Sequence, residues 1–512
     1  MNVCLINPPR IHPKGWGKPA VYQPLAIAYT AAVLENDYKV TIIDSPTEGW
    51  KNLEEIDESN YKVGLTNKEL QRRIKQSSPD VVGINVPFSG WSKSAFEVAS
   101  LVKNLDASII TVFDGLHASA RPNQCLSDPN VDYIIRGESE HSFHELAYNL
   151  KNGSLFSKLK KTNGIGFKKS GQIFLTNLRD PIENLDLLPF PARHLLPMEN
   201  YFRDVKELPL RGVINKSWTP VMTSRGCPHS CVFCSVHIVS GRKWRGRSPE
   251  NVVDELEYIV DKYSVKQIDF IDNNMSHDKK RMERISDLMV ERNLDLEWYT
   301  PDGLRADTLD ENILRKMKNA GCKKIRLTPE SGVQRVVDEV IHKNMKLEDV
   351  ENALVLARKV GIKVGVFFVL GLVGEKKTEM EQTIHFAYKL RNLGADMFHF
   401  CVAMPLYGTE LYAQAKQGGY LTEDFSDESL ARVEPLIETK DFTIEDVSEY
   451  CIKANEVNRV VTPKKVLKAL VHPKKTFGIV KYLLKMYSTP SKQANQQLSA
   501  VKIQEKNVLN SQ

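Results

Sequence analysis

Short apolar runs alternate with amphipathic stretches along the first part of the chain. Runs rich in Val and Ile predict strands at 3–7, 39–44, 80–86, 108–114 and 131–137. Helical patterns separate them, near 24–36, 66–77, 91–104 and 140–150. Such strand–helix alternation predicts a parallel, doubly wound sheet, which binds its ligand outside the carboxyl ends of its strands.

The same alternation returns in the second half of the chain. Predicted strands lie at 219–224, 267–272, 296–301, 323–330, 363–371 and 397–405. The clearest helical patterns between them lie at 249–263, 309–320, 347–360 and 377–393. Successive strand–helix units predict an incomplete (β/α) barrel of six strands, and the active sites of such barrels lie at the C-terminal ends of the strands.

These patterns divide the chain into four parts, since 512 residues are too many for one hydrophobic core. A Rossmann-like domain over 1–155 precedes a linker over 156–215, which is rich in proline and lacks a clean period. The partial barrel occupies 216–420, and a helical C-terminal region with a basic tail covers 421–512. The predicted fold class is therefore α/β, with a helical extension.

Composition and charge exclude several classes of protein. Hydrophobic residues make up 42% and charged residues 26% of the chain, as in ordinary globular proteins, and the formal net charge of +6 is mild for this length. No apolar run of about 18 residues predicts a membrane-spanning helix, and no secretory signal pattern is present. We therefore expect a cytoplasmic protein, either free or in peripheral contact with a membrane.

The segment TSRGCPHSCVFCSV contains three of the eight cysteines, Cys227, Cys231 and Cys234. The remaining cysteines are isolated, so a disulfide framework is not expected. A structural zinc ion normally takes four Cys or His ligands, and here His229 or His237 would have to supply the fourth. A [4Fe–4S] cluster on three thiolates instead leaves one iron open, and an open metal position is typical of a catalytic site.

The spacing C-x3-C-x2-C, with the aromatic Phe233 before the last cysteine, resembles the radical S-adenosylmethionine (SAM) superfamily. In that superfamily the amino and carboxylate groups of SAM chelate the open iron. An electron from the cluster cleaves SAM, and the resulting 5′-deoxyadenosyl radical takes a hydrogen atom from the substrate. The resemblance therefore implies that the three cysteines hold a [4Fe–4S] cluster and that Phe233 lies near SAM.

Motifs at the ends of later predicted strands fit the same resemblance, in the order FIDNN, TPESG, FVLGLVGE and MPLYGTEL. Asp272 and Asn273 match the position that usually holds the SAM amino group. Glu330 and Ser331 match the polar pair near the ribose and carboxylate. Gly371 matches the segment that lines the adenine. The resemblance thus implies a complete set of SAM contacts along the barrel mouth.

The N-terminal stretches PDVVGINV, VFDGLHAS and VDYIIRGESEHSF resemble the cobalamin-binding domain that precedes many radical SAM barrels. The resemblance assigns the ends of these strands to cobalamin, at Asn85, Phe88, Ser89, Gly115, His117, Gly137 and Glu138. The D-x-H-x-x-G pattern, whose histidine ligates cobalt elsewhere, is absent, so no protein histidine is expected at cobalt. A usual Gly-Gly-Pro-His turn here begins with Asp114, which places a charged side chain where glycine is common.

Together these motifs identify the chain as a member of the cobalamin-dependent (class B) radical SAM enzymes. Over roughly residues 1–415 it resembles the phosphonate methylase of fosfomycin biosynthesis and its relatives, with shared stretches such as TPDG, ESGVQRV and GVFFVLG. The resemblance implies methylation of an unactivated carbon, in which the SAM-derived radical opens a C–H bond and cobalamin delivers the methyl group. The resemblance does not include the basic tail, so we do not assign the substrate of the phosphonate methylase to this chain.

Two other functions stay open at this point. A radical SAM enzyme of the same architecture can catalyse ring closure, C–C coupling or rearrangement without methyl transfer. A protein of another class, a non-catalytic iron–sulfur scaffold or redox sensor, would bind a cluster but no SAM. Cobalamin retention tests the first alternative, and SAM binding tests the second.

The tail over 459–492 is rich in lysine and contains no acidic residue. It can form a solvated helical cap on the barrel, or an amphipathic helix that contacts an anionic membrane or a phosphorylated substrate. The partners that we expect are a small-molecule or lipid substrate and an electron donor such as flavodoxin or ferredoxin. Nucleic acid is not expected, because aromatic stacking residues are sparse and the basic run is short.

Overall fold

A computed structural model describes residues 1–14, 19, 21–153, 156–204 and 217–459 of the chain. Its N-terminal sheet has seven strands, in the spatial order Gln172–Leu175, Ile165–Lys169, Tyr133–Ile135, Ile110–Asp114, Val81–Asn85, Asn2–Asn7 and Lys39–Asp44. The five strands from Tyr133–Ile135 to Lys39–Asp44 run parallel. The predicted parallel sheet is therefore confirmed.

Helices cover both faces of this sheet, because successive strand residues point to opposite sides. Leu5 and Val112 pack beneath the helices Leu25–Leu34 and Ser139–Lys151. On the opposite face, Ile6 and Phe113 pack beneath two further helices, Asn67–Ser77 and Ser92–Leu105. Strands that are buried on both faces explain why the sequence shows continuous apolar runs rather than alternation.

The predicted linker contributes two strands to the N-terminal sheet. Ile165–Lys169 and Gln172–Leu175 form a hairpin that pairs antiparallel with Tyr133–Ile135. Phe167 is buried in the same core as Tyr201, from the short helix Met198–Asp204. The described part of the segment 156–215 thus packs onto the first domain rather than only bridging to the barrel.

The second sheet has six strands in chain order, Trp218–Val221, Gln267–Phe270, Glu297–Tyr299, Cys322–Glu330, Lys363–Leu370 and Met397–Val402. All neighbours are parallel. Long helices follow the strands, at Pro249–Tyr263, Lys279–Glu291, Glu311–Asn319, Leu347–Lys359 and Lys377–Leu393. Strand side chains such as Ile325 and Val366 pack against these helices, which gives the predicted partial barrel.

The N-terminal half covers the outer strand of this barrel, Trp218–Val221. The Arg193 guanidinium donates to the Pro220 carbonyl at 2.8 Å, and the Gln23 amide donates to the Trp218 carbonyl at 2.9 Å. An uncovered strand edge leaves carbonyl and amide groups without partners, so these contacts complete the sheet and join the two halves. The barrel is therefore held against the first domain along its open side.

Smaller elements complete the described chain. A three-stranded antiparallel sheet is formed by Arg10–Pro13, Leu53–Glu55 and Asn60–Val63. The C-terminal region is helical, at Glu410–Gln417, Asp427–Arg432, Ile444–Asn455 and the 3-10 turn Glu456–Arg459. Short helices elsewhere include Ser45–Glu48, Leu116–Ala120, Pro122–Ser127, Phe156–Leu159 and Val236–Ser240.

The basic tail lies beyond the described residues, except for Arg459. The predicted membrane contact through 459–492 therefore stays a prediction. Within the described part of the chain, none of the helices has the length and apolar character that crossing a bilayer requires.

Candidate functional site

The three cysteines share one loop at the carboxyl end of the first barrel strand. Gly226 begins this loop with a φ of +78°, and a Cβ there would lie 2.2 Å from the Lys243 carbonyl oxygen, so only glycine fits. The Cys234 amide donates to the Cys231 carbonyl at 3.0 Å, which closes a turn between these two ligand positions. The loop then enters the helix Val236–Ser240.

The thiols of this loop are half-buried and influence one another. Burial, with smaller contributions from the neighbouring Cys231 and Cys227, raises the pKa of Cys234 to about 11. Among the described residues, no three His, Cys, Asp or Glu side chains converge as ligands of a single ion. The three thiolates of an iron–sulfur cluster bind different irons, so their sulfur atoms need not converge on one point.

Two cationic side chains that the sequence analysis missed lie beside the cysteine loop. Lys343 is buried and donates to the Glu330 carboxylate at 2.9 Å, and Arg305 donates to the Lys343 carbonyl at 3.0 Å. Burial raises the pKa of Cys231, whereas Lys343 and Arg305 act in the opposite direction. These cations favour the thiolate form that a metal cluster requires.

Glu330 stands at the end of its strand in a left-handed conformation, with a φ of +67°. The conformation is uncommon for a residue with a side chain and is typical of functional sites. The carboxylate is buried and pairs with Lys343, so the Glu330 side chain has a defined position at the barrel mouth. Its assignment to the ribose end of SAM stays a prediction.

The Asp272 side chain forms hydrogen bonds with other residues of the protein. Its carboxylate accepts hydrogen bonds from the Thr223 amide at 3.1 Å, the Thr223 hydroxyl at 2.6 Å and the Ser224 hydroxyl at 2.5 Å. Burial raises the pKa of Asp272, and these hydrogen bonds oppose the effect. The side chain therefore ties the second barrel strand to the start of the cysteine loop. Asn273 is exposed and accepts from the Gly226 amide at 3.3 Å, again on that loop.

Ser331 and Gly371 also make contacts that shape the protein itself. The Ser331 hydroxyl lies 3.1 Å from the Thr383 hydroxyl and is buried. Gly371 has a φ of +85°, and its amide donates to the Glu375 carboxylate at 2.8 Å. Burial raises the pKa of Glu375 to about 8. A role of Ser331 and Gly371 toward SAM stays a prediction, and Phe233 lies half-buried within the cysteine loop.

The cysteine loop meets the N-terminal domain directly. The helix Val236–Ser240, which follows the last cysteine, packs against the helix Leu116–Ala120. The latter helix comes directly after the strand Ile110–Asp114. A Cβ on Gly137 would lie 3.7 Å from the Val239 carbonyl oxygen. The strand ends of the first sheet and the barrel mouth therefore open toward the same region between the two domains.

Two glycines occupy the turns at these strand ends. Gly115 has a φ of +94° and Gly137 a φ of +82°, conformations that favour glycine. A Cβ on Gly115 would lie 2.9 Å from the Val86 carbonyl oxygen, so this turn packs closely against the neighbouring strand end. A role of Gly115 and Gly137 toward cobalamin stays a prediction. Glu138, beside Gly137, forms an ion pair within the protein. Its carboxylate accepts hydrogen bonds from the Arg245 guanidinium at 2.8 and 2.9 Å.

His117, Ser89 and Phe88 lie beneath the C-terminal region. The His117 ring is fully buried, and its Nδ1 lies 3.0 Å from the Ser89 hydroxyl. Burial lowers the pKa of His117 to about 4, while the nearby Asp427 raises it. Phe88 packs against the apolar cluster around Leu430. These three residues therefore contact the C-terminal segment, and their role toward cobalamin stays a prediction.

Asp114, at the end of the strand Ile110–Asp114, is buried beside Asn85. The Asn85 amide donates to the Asp114 carboxylate at 2.8 Å. Burial raises the pKa of Asp114 from 3.8 to about 6, against the hydrogen bonds from Asn85 and Ser139. The carboxyl group thus lies at the end of the strand Ile110–Asp114. Both Asn85 and Asp114 are buried rather than exposed to solvent.

Asp114→Asn is expected to raise the free energy of unfolding at pH 7.5 by about 1–3 kcal/mol, since ionising this buried group is unfavourable. The folded state binds the Asp114 proton more tightly than the unfolded state does. The stabilisation from this proton is therefore complete below pH 3.8 and is lost as the pH rises through about 6. Urea unfolding at pH 5 and pH 7.5 measures the difference. If the free energies of unfolding of the variant and the wild type differ by the same amount at both pH values, this prediction is contradicted.

Comparisons with known proteins agree with this arrangement. Residues 19–147 match the B12 binding domain family, and residues 221–387 match the radical SAM superfamily. The chain is 32% identical to an uncharacterized methyltransferase of Pyrococcus horikoshii, over 87% of this chain and 89% of the relative. It is 30% identical to the cytidylyl-2-hydroxyethylphosphonate methyltransferase of Streptomyces wedmorensis, over 81% of each chain.

The fold also resembles that of a solved enzyme. The cobalamin-dependent SAM radical enzyme OxsB, with aqua-cobalamin and SAM bound, superposes with a TM-score of 0.67 at 18% identity, over 98% of this chain and 75% of that one. The two matched domains, the order in which they occur and the similarity to the two methyltransferases exclude a non-catalytic scaffold. The chain belongs to the family of cobalamin-dependent radical SAM methyltransferases, enzymes that use a [4Fe–4S] cluster, SAM and cobalamin.

Proposed function

We propose that this enzyme methylates an unactivated carbon of a small-molecule substrate. The observation that carries the proposal is the contact between the helix Val236–Ser240 of the cysteine loop and the helix Leu116–Ala120 of the first domain. This contact directs the cluster loop and the cobalamin-domain strand ends toward one region. A carbon that is neither nucleophilic nor acidic needs radical activation and methyl delivery in the same place.

The cofactors supply the radical and the methyl group, and the chain's own residues place the reactants. Inward-facing strand residues of the barrel include Asp269, Arg326, Phe367 and His399. The Arg326 guanidinium lies 4.7 Å from the centre of the Phe367 ring, which in turn lies 5.0 Å from the His399 ring. This wall offers both a cation and aromatic faces, so it suits a substrate with a polar or anionic group next to the carbon that reacts.

The test uses reconstituted, reduced protein loaded with cobalamin and incubated with SAM that carries a deuterated methyl group, in the presence of small-molecule extract. We expect one metabolite to gain the labelled methyl, with 5′-deoxyadenosine and S-adenosylhomocysteine formed in about equal amounts because each turnover uses two SAM molecules. Label that enters a metabolite only when cobalamin is present supports the assignment. SAM cleavage with a product but without S-adenosylhomocysteine points to ring closure, coupling or rearrangement instead.

A further inference from the structure

A two-stranded ladder forms the neck of the cysteine loop. The strand Ser224–Arg225 comes just before the loop and the strand Arg245–Gly246 comes after it, so the ladder joins the two ends of the segment that contains the three cysteines. Within this antiparallel pair, Arg225 lies directly opposite Arg245, and both side chains are buried. Like charges on opposite strands repel each other, so the neck requires negative charge from elsewhere in the protein.

The negative charge comes from the first domain. Glu138 and Glu140 lie at the start of the helix Ser139–Lys151. Arg225 donates to the Glu140 carboxylate at 2.6 Å and lies 3.5 Å from the Glu138 carboxylate. Arg245 donates to both oxygens of Glu138, at 2.8 and 2.9 Å. All four side chains are at most 7% exposed, so two carboxylates of one domain neutralise two guanidinium groups of the other in the absence of bulk water.

Further contacts fix the orientation of both arginines. The ring of Tyr29, a buried residue of the first domain, lies 5.1 Å from the Arg225 guanidinium. Arg245 donates at 2.7 Å to the carbonyl of Ser240, which ends the helix inside the cysteine loop, and at 2.7 Å to the carbonyl of Ile182. Each guanidinium is therefore held from several sides, and the loop cannot shift relative to the first domain without breaking these contacts.

We propose that this ion cluster of Glu138, Glu140, Arg225 and Arg245, the neck clamp, fixes the cysteine loop relative to the cobalamin-binding domain, and that its members are positioning residues for methyl transfer. Burying charges is unfavourable, and an apolar contact can hold two domains together equally well. A guanidinium fork, however, pairs with a carboxylate in one geometry, whereas apolar surfaces can slide. The clamp suits a reaction that depends on the relative placement of two cofactors, so this inference rests on the proposed function.

Glu140→Gln is the sharpest substitution, because the amide keeps the size of the side chain and removes the charge that faces Arg225. The assay contains reconstituted protein, cobalamin, SAM and titanium(III) citrate, without substrate. We expect 5′-deoxyadenosine at nearly the wild-type rate, because SAM cleavage needs only the cluster loop and the barrel. Formation of S-adenosylhomocysteine requires SAM and cobalamin to meet across the two domains. We expect it to fall by about 10–100-fold, as is usual for misplaced reactants.

A second measurement does not depend on methyl transfer. In protein that holds both the reduced cluster and cob(II)alamin, electron paramagnetic resonance detects the magnetic interaction between the two unpaired spins, which reports their separation. We expect this interaction to be weaker, or spread over a wider range, in Glu140→Gln than in the wild type. Glu145→Gln is the matched control, because Glu145 lies on the same helix but pairs with Arg179 rather than with the neck of the loop. The control should match the wild type in both measurements.

A Glu140→Gln variant that binds both cofactors and keeps either the wild-type formation of S-adenosylhomocysteine or the wild-type spin interaction overturns the proposal. Equal losses of 5′-deoxyadenosine and S-adenosylhomocysteine also overturn it, since they indicate general damage to the barrel. If Glu140→Gln fails to bind the cofactors, Arg225→Lys decides by the same criteria, because it keeps the charge and loses only the forked geometry. If the wild type itself forms no S-adenosylhomocysteine, the proposed function is wrong, and the spin interaction alone decides on the clamp.

Discussion

Replacing Cys231 with alanine is expected to abolish SAM cleavage and to prevent stable assembly of the cluster. We expect Cys227, Cys231 and Cys234 to be the protein ligands of the cluster, with the fourth iron open to SAM. With two thiolates left, a second iron loses its protein ligand. The side chains of Lys343 and Arg305, which favour the thiolate form of Cys231, then lose this partner.

Iron and sulfide content after anaerobic reconstitution, the visible absorption of the cluster and the yield of 5′-deoxyadenosine measure this effect. Cys322→Ala is the matched control, because Cys322 is a buried thiol at the opposite, N-terminal end of a barrel strand. We expect the control to lose about 1 kcal/mol of stability through its small cavity and to retain cluster and SAM cleavage. A Cys231→Ala variant with full iron content and normal SAM cleavage would contradict the assignment of these ligands.

The second large effect is expected from Glu255→Gln, which removes the negative charge at the centre of a buried ion cluster. Glu255 is fully buried between two guanidinium groups: Arg193 donates to its carboxylate at 2.6 Å, and Arg247 donates to the other oxygen. Without the carboxylate, two buried cations face each other uncompensated. Removing one partner of a buried ion pair lowers the free energy of unfolding by about 3–5 kcal/mol.

The prediction has a pH signature and a control on the same helix. Burial by itself would raise the pKa of Glu255, but Arg247 and Arg193 together lower it below 4.5, so the stabilisation is present above that pH and is lost as the pH falls further. Glu250→Gln removes a carboxylate of the same helix that lies 3.8 Å from Arg284 at the exposed surface. The control should change stability by less than about 1 kcal/mol in urea unfolding. Equal losses for both variants would refute the prediction.

The hydrophobic pattern predicted most of the fold because each strand and helix carries its own periodicity. Predicted helices at 249–263 and 377–393 coincide with the observed ones, and strand 39–44 is identical. The hairpin Ile165–Lys169 and Gln172–Leu175 was not predicted, since its strands are short and lie in a segment that is otherwise rich in proline. Its turn residues Ser170 and Gly171 both have positive φ, so the Ser-Gly pair was the available signal.

At the site, sequence and structure contribute differently. The cysteine spacing is local, so the loop and the order of its ligands follow from the residues themselves. A polar residue at a strand end has the same appearance in a sequence whether it binds a ligand or anchors a neighbouring loop. Only the tertiary structure shows that the Asp272 carboxylate accepts from Thr223 and Ser224, whereas the Asn274 amide lies against Cys227.

The sequence by itself determined the two-domain α/β architecture and a loop of three cysteines at the mouth of a partial barrel. Periodicity and short-range spacing specify such features, because they depend on residues close along the chain. The tertiary structure decided which polar groups have partners: Glu330 with Lys343, Glu255 with Arg193, and Asp114 with Asn85. Several of these pairs join residues that are distant in the sequence, and their hydrogen bonds and charges depend on burial that only folding creates.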